Sequence, residues 1–392
     1  MARKVQWAGW FSCALLATSL AATAGVDQSP FTFSMGVRGV YTDNRDGTKR
    51  DKKSDFDAIA EPRVTCVYNA DNAVFDAFYS PSVLWRSNAR KDQNDVDLYH
   101  SAGVGIDYRP NARTKLYAND QFDYTDQPNV KDGGATIREN ASYYLNRAGA
   151  GAQYSLDPKT MLGVSGYDSV KRYTKKVYAD LADEDRYGGN GTVSYEVAPE
   201  TKVSAIGDYS KAEFNQIRHG SEIFMGGAGL DKKFSPNLSA HVQGGWQVAK
   251  LQRAIDNQVD SPTASGDVTI SPSPATRLIL TAGYGLAHSD YDPYAIQTRA
   301  SASAKIERDL LPNLMVSVAG LYANGHYEKD SVVKGQTAPG GDDTLSDIFV
   351  SATYRINRNL TAGLSYEYED WNSDIRESFS RNTVMASLKA DL

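Results

Sequence analysis

The sequence predicts an all-β chain, a transmembrane antiparallel up-and-down β-barrel of about 18 strands preceded by a cleaved signal peptide. A short turn recurs about every 40 residues, the segments around each turn alternate apolar and polar side chains, and the reversals between those segments are long and polar. Short turns on one rim and long loops on the other are the asymmetry of an outer-membrane barrel.

Residues 1–24 read as a leader. Arg3 and Lys4 form a charged start, Trp7 to Leu20 an apolar run, and Ala22-Thr23-Ala24 a small-residue cleavage site. The mature barrel is expected over 25–392, starting at Gly25. Cys13 sits inside the apolar run without the residues expected before a lipidated cysteine, which argues against a lipoprotein. Losing Arg3 and Lys4 leaves 40 basic against 48 acidic residues, a net charge of −8. That charge gives no reason to expect nucleic acid as a partner.

The mature chain keeps one cysteine, Cys66, so an intramolecular disulfide is impossible even in an oxidising compartment. No apolar run after residue 24 approaches the ~20 residues of a membrane helix. Mean hydropathy is −0.48 with 23% charged residues, a composition that alone reads as soluble. A barrel reconciles it, because only alternate strand residues face lipid.

The turns are Tyr68-Asn69-Ala70-Asp71-Asn72, Tyr108-Arg109-Pro110-Asn111, Leu156-Asp157-Pro158-Lys159, Val197-Ala198-Pro199-Glu200, Phe234-Ser235-Pro236-Asn237, Ile270-Ser271-Pro272, Leu311-Pro312-Asn313 and Ile356-Asn357-Arg358-Asn359. Proline and Asn/Asp pre-set a reversal and cannot continue a central strand. Between turns the parity is consistent. Phe56, Ala58, Ala60, Pro62, Val64, Cys66 and Tyr68 oppose Asp57, Glu61, Arg63 and Thr65, and Ile296, Ala300, Ala302, Ala304 and Ile306 oppose Gln297, Arg299, Lys305 and Glu307. Long loops are expected near 44–54, 87–94, 125–140, 172–185, 211–220, 250–263, 288–295, 325–344 and 370–380, facing outside the cell.

A soluble sandwich or propeller also alternates. Two rows of aromatics distinguish a membrane barrel: Tyr68, Tyr108, Tyr154, Tyr195, Phe234 and Tyr354 beside the short turns, and Phe56, Trp85, Trp246, Tyr284 and Tyr366 toward the long loops. The last segment, Asn382 to Leu392, keeps apolar residues at even positions to its end.

A barrel of this size leaves an aqueous channel. The inward parity is expected to line it with the acids Asp57, Glu61, Asp76, Glu307 and Glu367 and the bases Arg63, Lys115, Arg147, Arg299, Lys305 and Arg355. So mixed a lining gives no strong ion filter. Phe78, Tyr99, Tyr117, Tyr143, Tyr167 and Phe349 share that parity, and aromatic faces beside polar groups suit sugar rings, although Tyr is abundant and each ring can be filler.

Enzymatic chemistry is not expected. His219-Gly220-Ser221 places an imidazole near a hydroxyl, but no orienting group or oxyanion donors accompany it. Asp183-Glu184-Asp185 and Asp342-Asp343 lack a full set of oxygen ligands for Ca²⁺ and read as solvated acidic loops. No cofactor or metal is expected. His100, Asp120 and Asn146 break the apolar parity of their strands; pairing Tyr108 with Thr114 would bring His100 and Asp120 within one diagonal step on the outer face. A bulge reversing parity is one explanation, and a subunit or partner interface the other.

With the repeat, leader and terminal strand in hand, the chain resembles the β-barrel porin type 2 family of Gram-negative outer membranes, on turns such as Ser235-Pro236-Asn237-Leu238 and Leu311-Pro312-Asn313-Leu314. The resemblance implies residence in the outer membrane among its lipid and lipopolysaccharide, and export of an extracellular polysaccharide with periplasmic export proteins as partners. A general or saccharide-uptake porin, and a receptor or adhesion barrel with a plugged lumen, remain open alternatives. An oligomer is compatible with each.

Overall fold

The computed structural model describes residues 29–89, 94–126, 141–214, 220–252, 258–289, 291–329, 332 and 338–392. The predicted leader and Gly25 lie outside the described residues. Eighteen antiparallel strands follow in order. The first six are β1 (Phe31–Thr42), β2 (Asp55–Asn69), β3 (Ala73–Arg86), β4 (Val96–Asn111), β5 (Thr114–Thr125) and β6 (Tyr143–Ser155). After β7 (Thr160–Tyr173) and a short helix, α1 (Lys176–Ala182), come β8 (Glu184–Ala198), β9 (Thr201–Phe214), β10 (Gly220–Ser235), β11 (Leu238–Gln252) and β12 (Gln258–Ser273). The last six are β13 (Thr276–His288), β14 (Ile296–Leu311), β15 (Leu314–Tyr327), β16 (Gly341–Arg355), β17 (Leu360–Ser373) and β18 (Phe379–Asp391).

Each strand pairs with its sequence neighbours, and β1 pairs with β18 from Ser34↔Asp391 to Thr42↔Thr383, which closes the barrel. Closure leaves no sheet edge, so every strand in the wall has a partner on both sides. The eight short turns fall where proline and Asn/Asp place them. Their side chains hold the reversal: Asp157 Oδ1 accepts the N–H groups of Lys159 (2.7 Å) and Thr160 (2.9 Å), and Asn111 and Asn357 accept those of Arg113 and Asn359 (both 2.9 Å). The Lys159 and Thr160 donors hold the Asp157 carboxyl below the usual carboxylate range.

At the opposite rim three connections are tighter than the sequence suggests. Pairing continues to Phe214 and resumes at Gly220, continues to Gln252 and resumes at Gln258, and reaches Ser373 before Phe379. At these strand tips the alternation inverts, with polar Lys211, Glu213, Glu222 and Lys250 on the outward parity and buried Ala212, Phe214, Ile223, Ala249 and Leu251 on the inward one. Lys211 there reaches Glu213 (2.8 Å) and Glu222 (3.2 Å), holding neighbouring strand tips together.

Most exposed large apolar residues of the wall occupy one parity. Phe33, Met35, Val37 and Tyr41 of β1, Leu98 and Tyr108 of β4, Val164 of β7, Val242 and Trp246 of β11 and Leu364 and Tyr366 of β17 are all exposed. The register carries this face from strand to strand, as in Val37↔Ala60 and Val37↔Leu388. Tyr108, Tyr154, Tyr195, Phe234 and Tyr354 form an exposed aromatic row near the short turns, and Trp85, Trp246, Tyr284 and Tyr366 a second row toward the other rim. An apolar band between aromatic girdles is the lipid-facing surface of an outer-membrane barrel. Here hydrophobic residues face outward by design, and the buried clusters sit elsewhere.

Those clusters lie at the long-loop end, and apart from Leu286 and Ile296 their strand residues are on the opposite parity. Tyr143, Leu145 and Tyr173 are covered by Tyr178, Ala179 and Ala182 of α1, so the β7–β8 connection folds over the inner wall. Ile223, Ala249 and Leu251 pack with Leu286, Ala295 and Ile296. On the far side Ala323, Leu345, Trp371 and Phe379 form a third cluster, and Tyr294, Tyr327 and Val332 a fourth. Connections thus turn inward at several places around the mouth.

Candidate transport pathway

The wall has two faces, and all the residues assigned to the lumen by sequence lie opposite the exposed apolar band. Parity and register place Asp57, Glu61 and Arg63 on β2, Asp76 and Phe78 on β3, Tyr99 on β4, Lys115 and Tyr117 on β5 and Tyr143 and Arg147 on β6 there. Arg299, Lys305 and Glu307 on β14, Arg355 on β16 and Glu367 on β17 share the face.

Many of these charges are paired along the wall. Arg38 meets Glu61 at 2.8 Å, Lys115 meets Asp107 at 3.1 Å, Arg147 meets Asp123 at 3.7 Å and Lys305 meets Glu307 at 2.6 Å. Pairs spaced around a wet wall cancel at range, so the face carries many polar groups and little net field of one sign.

The aromatic residues divide into two sets. Tyr99 and Tyr143 are only 6% and 5% exposed, so the expectation that they offer free ring faces is corrected. Tyr99 is held under Arg86, whose guanidinium donates to Tyr99 Oη at 2.8 Å, Asp97 Oδ2 at 2.6 Å and Asp126 Oδ2 at 2.5 Å; Tyr143 lies beneath α1. In the second set the rings lie along the wall over glycines of the next strand. A Cβ placed on Gly103 would fall 2.5 Å from Phe78 Cε1, one on Gly188 2.7 Å from Tyr167 Cε1, and one on Gly151 against the Tyr117 phenol. Arg63 sits 3.9 Å from the centre of the Phe78 ring and Lys115 5.6 Å from that of Tyr117. The sequence offered no signal for this split, since inward parity is the same for both sets and the glycines stand on other strands.

The described residues include a serine–histidine contact and a carboxylate cluster. Ser221 Oγ lies 2.6 Å from His288 Nδ1, and His288 Nε2 lies 3.0 Å from Ser210 Oγ. The imidazole is thus oriented by a hydroxyl where a hydrolase needs a carboxylate, and Ser221 is fully buried beyond reach of substrate. His219 lies outside the described residues. The acidic loops are engaged, which corrects their reading as solvated: Glu184 meets Lys171 at 3.1 Å, Asp185 makes a two-pronged contact with Arg172 at 2.6 and 2.7 Å, Asp342 meets His326 at 2.6 Å and Asp343 meets Arg376. Asp347, Glu367 and Glu369 bring three carboxylates within 4.8 Å of one another on the inner wall, where Arg381 donates to Glu369 at 2.7 Å.

On the outer face Asn146 Nδ2 donates to Asp120 Oδ1 at 2.7 Å, so these two residues do meet. His100 does not join them. The β4–β5 register pairs Tyr108 with Leu116 and Asn111 with Thr114, with an irregularity between, so His100 faces Tyr124 while Asp120 faces Val104. His100 instead hydrogen-bonds the Tyr79 hydroxyl at 2.9 Å across β3. The predicted diagonal contact fails because the reversal falls at Ala112 and Arg113, later in the chain than a Tyr108–Thr114 pairing requires.

Fold and wall together define an outer-membrane porin-type barrel of the Gram-negative envelope. The chain belongs to the family described as "Putative beta-barrel porin 2", whose model matches residues 22–392. Among solved structures it is similar to a BenF-like porin from Pseudomonas fluorescens Pf-5 (12% identity over 92% of this chain and 99% of that one, TM-score 0.51). It is also similar to Pseudomonas aeruginosa OpdK solved with vanillate (13%, 92% and 99%, TM-score 0.50) and to Acinetobacter baumannii OccAB4 (12%, 93% and 99%, TM-score 0.50). At these identities the likeness is one of fold. No curated protein matches the chain.

Proposed function

We propose that this barrel is a passive outer-membrane channel for small hydrophilic solutes, with the inward charges named above as its lining. The observation that carries the reading is the combination of a polar, internally paired inner wall with connections that fold inward at the long-loop end. Mixed pairs give water-filled passage without strong ion selection, and inward-packed segments favour compact solutes over a wide polymer. The vanillate bound to OpdK is a solute of that size class. Reconstituted protein should form discrete conducting steps in planar bilayers and let small sugars swell proteoliposomes. A protein that assembles yet never conducts supports the receptor or adhesion alternative.

Export of an extracellular polysaccharide is the second reading. The rings laid flat on the β3–β8 wall favour it, because they offer a smooth surface to a sliding chain. Loss of secreted polysaccharide on deletion, with unchanged uptake of small solutes, would decide for export. We further propose that the side bearing Asp120 and Asn146 is an interface with a second subunit or a partner, since polar groups facing lipid cost free energy that a protein contact relieves.

A further inference from the structure

The inner wall from β3 to β8 is built unlike the rest of the lining. Phe78 on β3, Tyr117 on β5 and Tyr167 on β7 each lie over a glycine of the following strand, Gly103 on β4, Gly151 on β6 and Gly188 on β8. With no Cβ beneath them the rings lie against the backbone, and the face of Phe78 away from the wall carries the Arg63 guanidinium at 3.9 Å. Tyr167 is 43% exposed, whereas the rings of Tyr99 and Tyr143, on the same parity, are packed away. The spacing is regular, one ring on every second strand with a glycine on each strand between.

Phe78 and Tyr167 flank a recess of about 660 Å3, whose floor includes Gly103, Gly105 and Gly149 and whose polar lining includes Asn119, Gln121 and Ser169. Pockets of this size take ligands larger than a single ion and smaller than a folded partner. Amides and a hydroxyl between flat rings give donors and acceptors at intervals along an apolar surface. The charged lining is Asp76, Asp120 and Asp168 beside Arg147, and Arg147 lies 3.7 Å from Asp123. An anionic ligand would therefore meet carboxylates of its own sign, while a neutral hydroxylated ring would not.

We propose that Phe78, Tyr117 and Tyr167 form a binding track for neutral pyranose units, each ring stacking on the apolar face of one sugar, at Phe78 in place of the Arg63 guanidinium, while Asn119, Gln121 and Ser169 bond its hydroxyls. The proposal rests on the pore reading and names a solute class for it. Each contact is weak, so residues bind and leave in succession, as conduction through a pore requires.

The test uses the full mature chain in planar bilayers with maltohexaose as probe. Wild-type current should be blocked in a concentration-dependent way. The triple variant F78A/Y117A/Y167A should keep open conductance at or above the wild-type level, with the blocking constant weakened by about tenfold or more. Gly103→Ala, which pushes the Phe78 ring off the wall, should narrow the open conductance and weaken block while leaving the other two rings in place. Conducting wild-type channels that maltohexaose does not block, or equal block in the triple variant, would overturn the track and leave the pore standing. Absence of conductance in a correctly assembled wild-type barrel would overturn the pore reading itself and the track with it. Assembly of each variant is read from the heat-dependent gel shift of folded barrel.

Discussion

Arg86 is the residue whose removal should be felt most in the wall. Its side chain is 2% exposed and lies between Asp97, Tyr99 and Asp126, with Asp126 equally buried. Truncation to alanine removes the cation and leaves the Asp126 carboxylate buried without it. Breaking a buried pair by deleting one partner costs about 3–5 kcal/mol, because the surviving charge stays desolvated. Arg86→Ala should therefore destabilise the barrel by about that amount, roughly a 150- to 5,000-fold shift in the folding constant. Removing the charge of the survivor tests the cause. In Arg86→Met/Asp126→Asn the penalty should shrink to about 1–2 kcal/mol, since a packed neutral pair replaces a stranded anion. Reversible urea unfolding in lipid vesicles, followed by tryptophan fluorescence, measures both. An Arg86→Ala penalty below about 1 kcal/mol, or a double variant no better than the single one, would refute the electrostatic account. Because Asp126 ends β5 and leads into the next connection, the single variant should also widen the distribution of single-channel conductances.

The remaining predictions concern topology, selectivity and the outer face. Epitope tags inserted at Gly47 or Gly340 should be accessible on intact cells and tags at Pro236 or Pro312 should not, and the reverse pattern inverts the barrel; the same test at Gly134 addresses a position outside the described residues. Reversal potentials in a salt gradient should show only modest ion preference, and strong selectivity for either sign would overturn the paired lining. Asp120→Leu should stabilise an isolated barrel in vesicles by up to about 2 kcal/mol if the site faces lipid. If it faces a subunit, cysteines placed at Leu98 or Phe122 should crosslink to protein in native membranes, and exclusive labelling by lipid probes would remove the interface.

The wall was legible in the sequence because a membrane barrel writes its two faces at a period of 2 residues. Trp85, Trp246 and Tyr366 read as outward on that ground alone, and proline or Asn/Asp marked all eight short turns. The strand tips were harder. At Lys211, Glu213 and Glu222 the outward face is polar while inward Ala212, Phe214 and Ile223 are buried, so the alternation that defines a strand within the membrane is inverted while the backbone pairing persists. Contacts across the lumen mouth were not legible either. The approach of Ser210, Ser221 and His288, separated by as many as 78 residues, follows from how the connections fold inward, which no local pattern encodes. The failed pairing of His100 with Asp120 comes from the turn between β4 and β5, since a reversal at Ala112 and Arg113 slides the partner of Tyr108 by two residues, from Thr114 to Leu116.

The seam between β1 and β18 differs from every other joint in the wall. The other seventeen pairings join neighbours in the chain and can form as successive hairpins, each closing a short loop. The seam alone brings together segments some 350 residues apart, an encounter whose entropy cost is about 5 kcal/mol for a free chain, yet much less once the intervening strands have curled. The Leu392 N–H donates to Phe33 O at 2.8 Å, so the two ends of the barrel lie side by side. A brief linker could join them, and the chain could be cut instead at any of the eight short turns. Each such circular permutant would trade one seam for another in an otherwise identical ring, making the order of closure, and not the set of contacts, the quantity that changes.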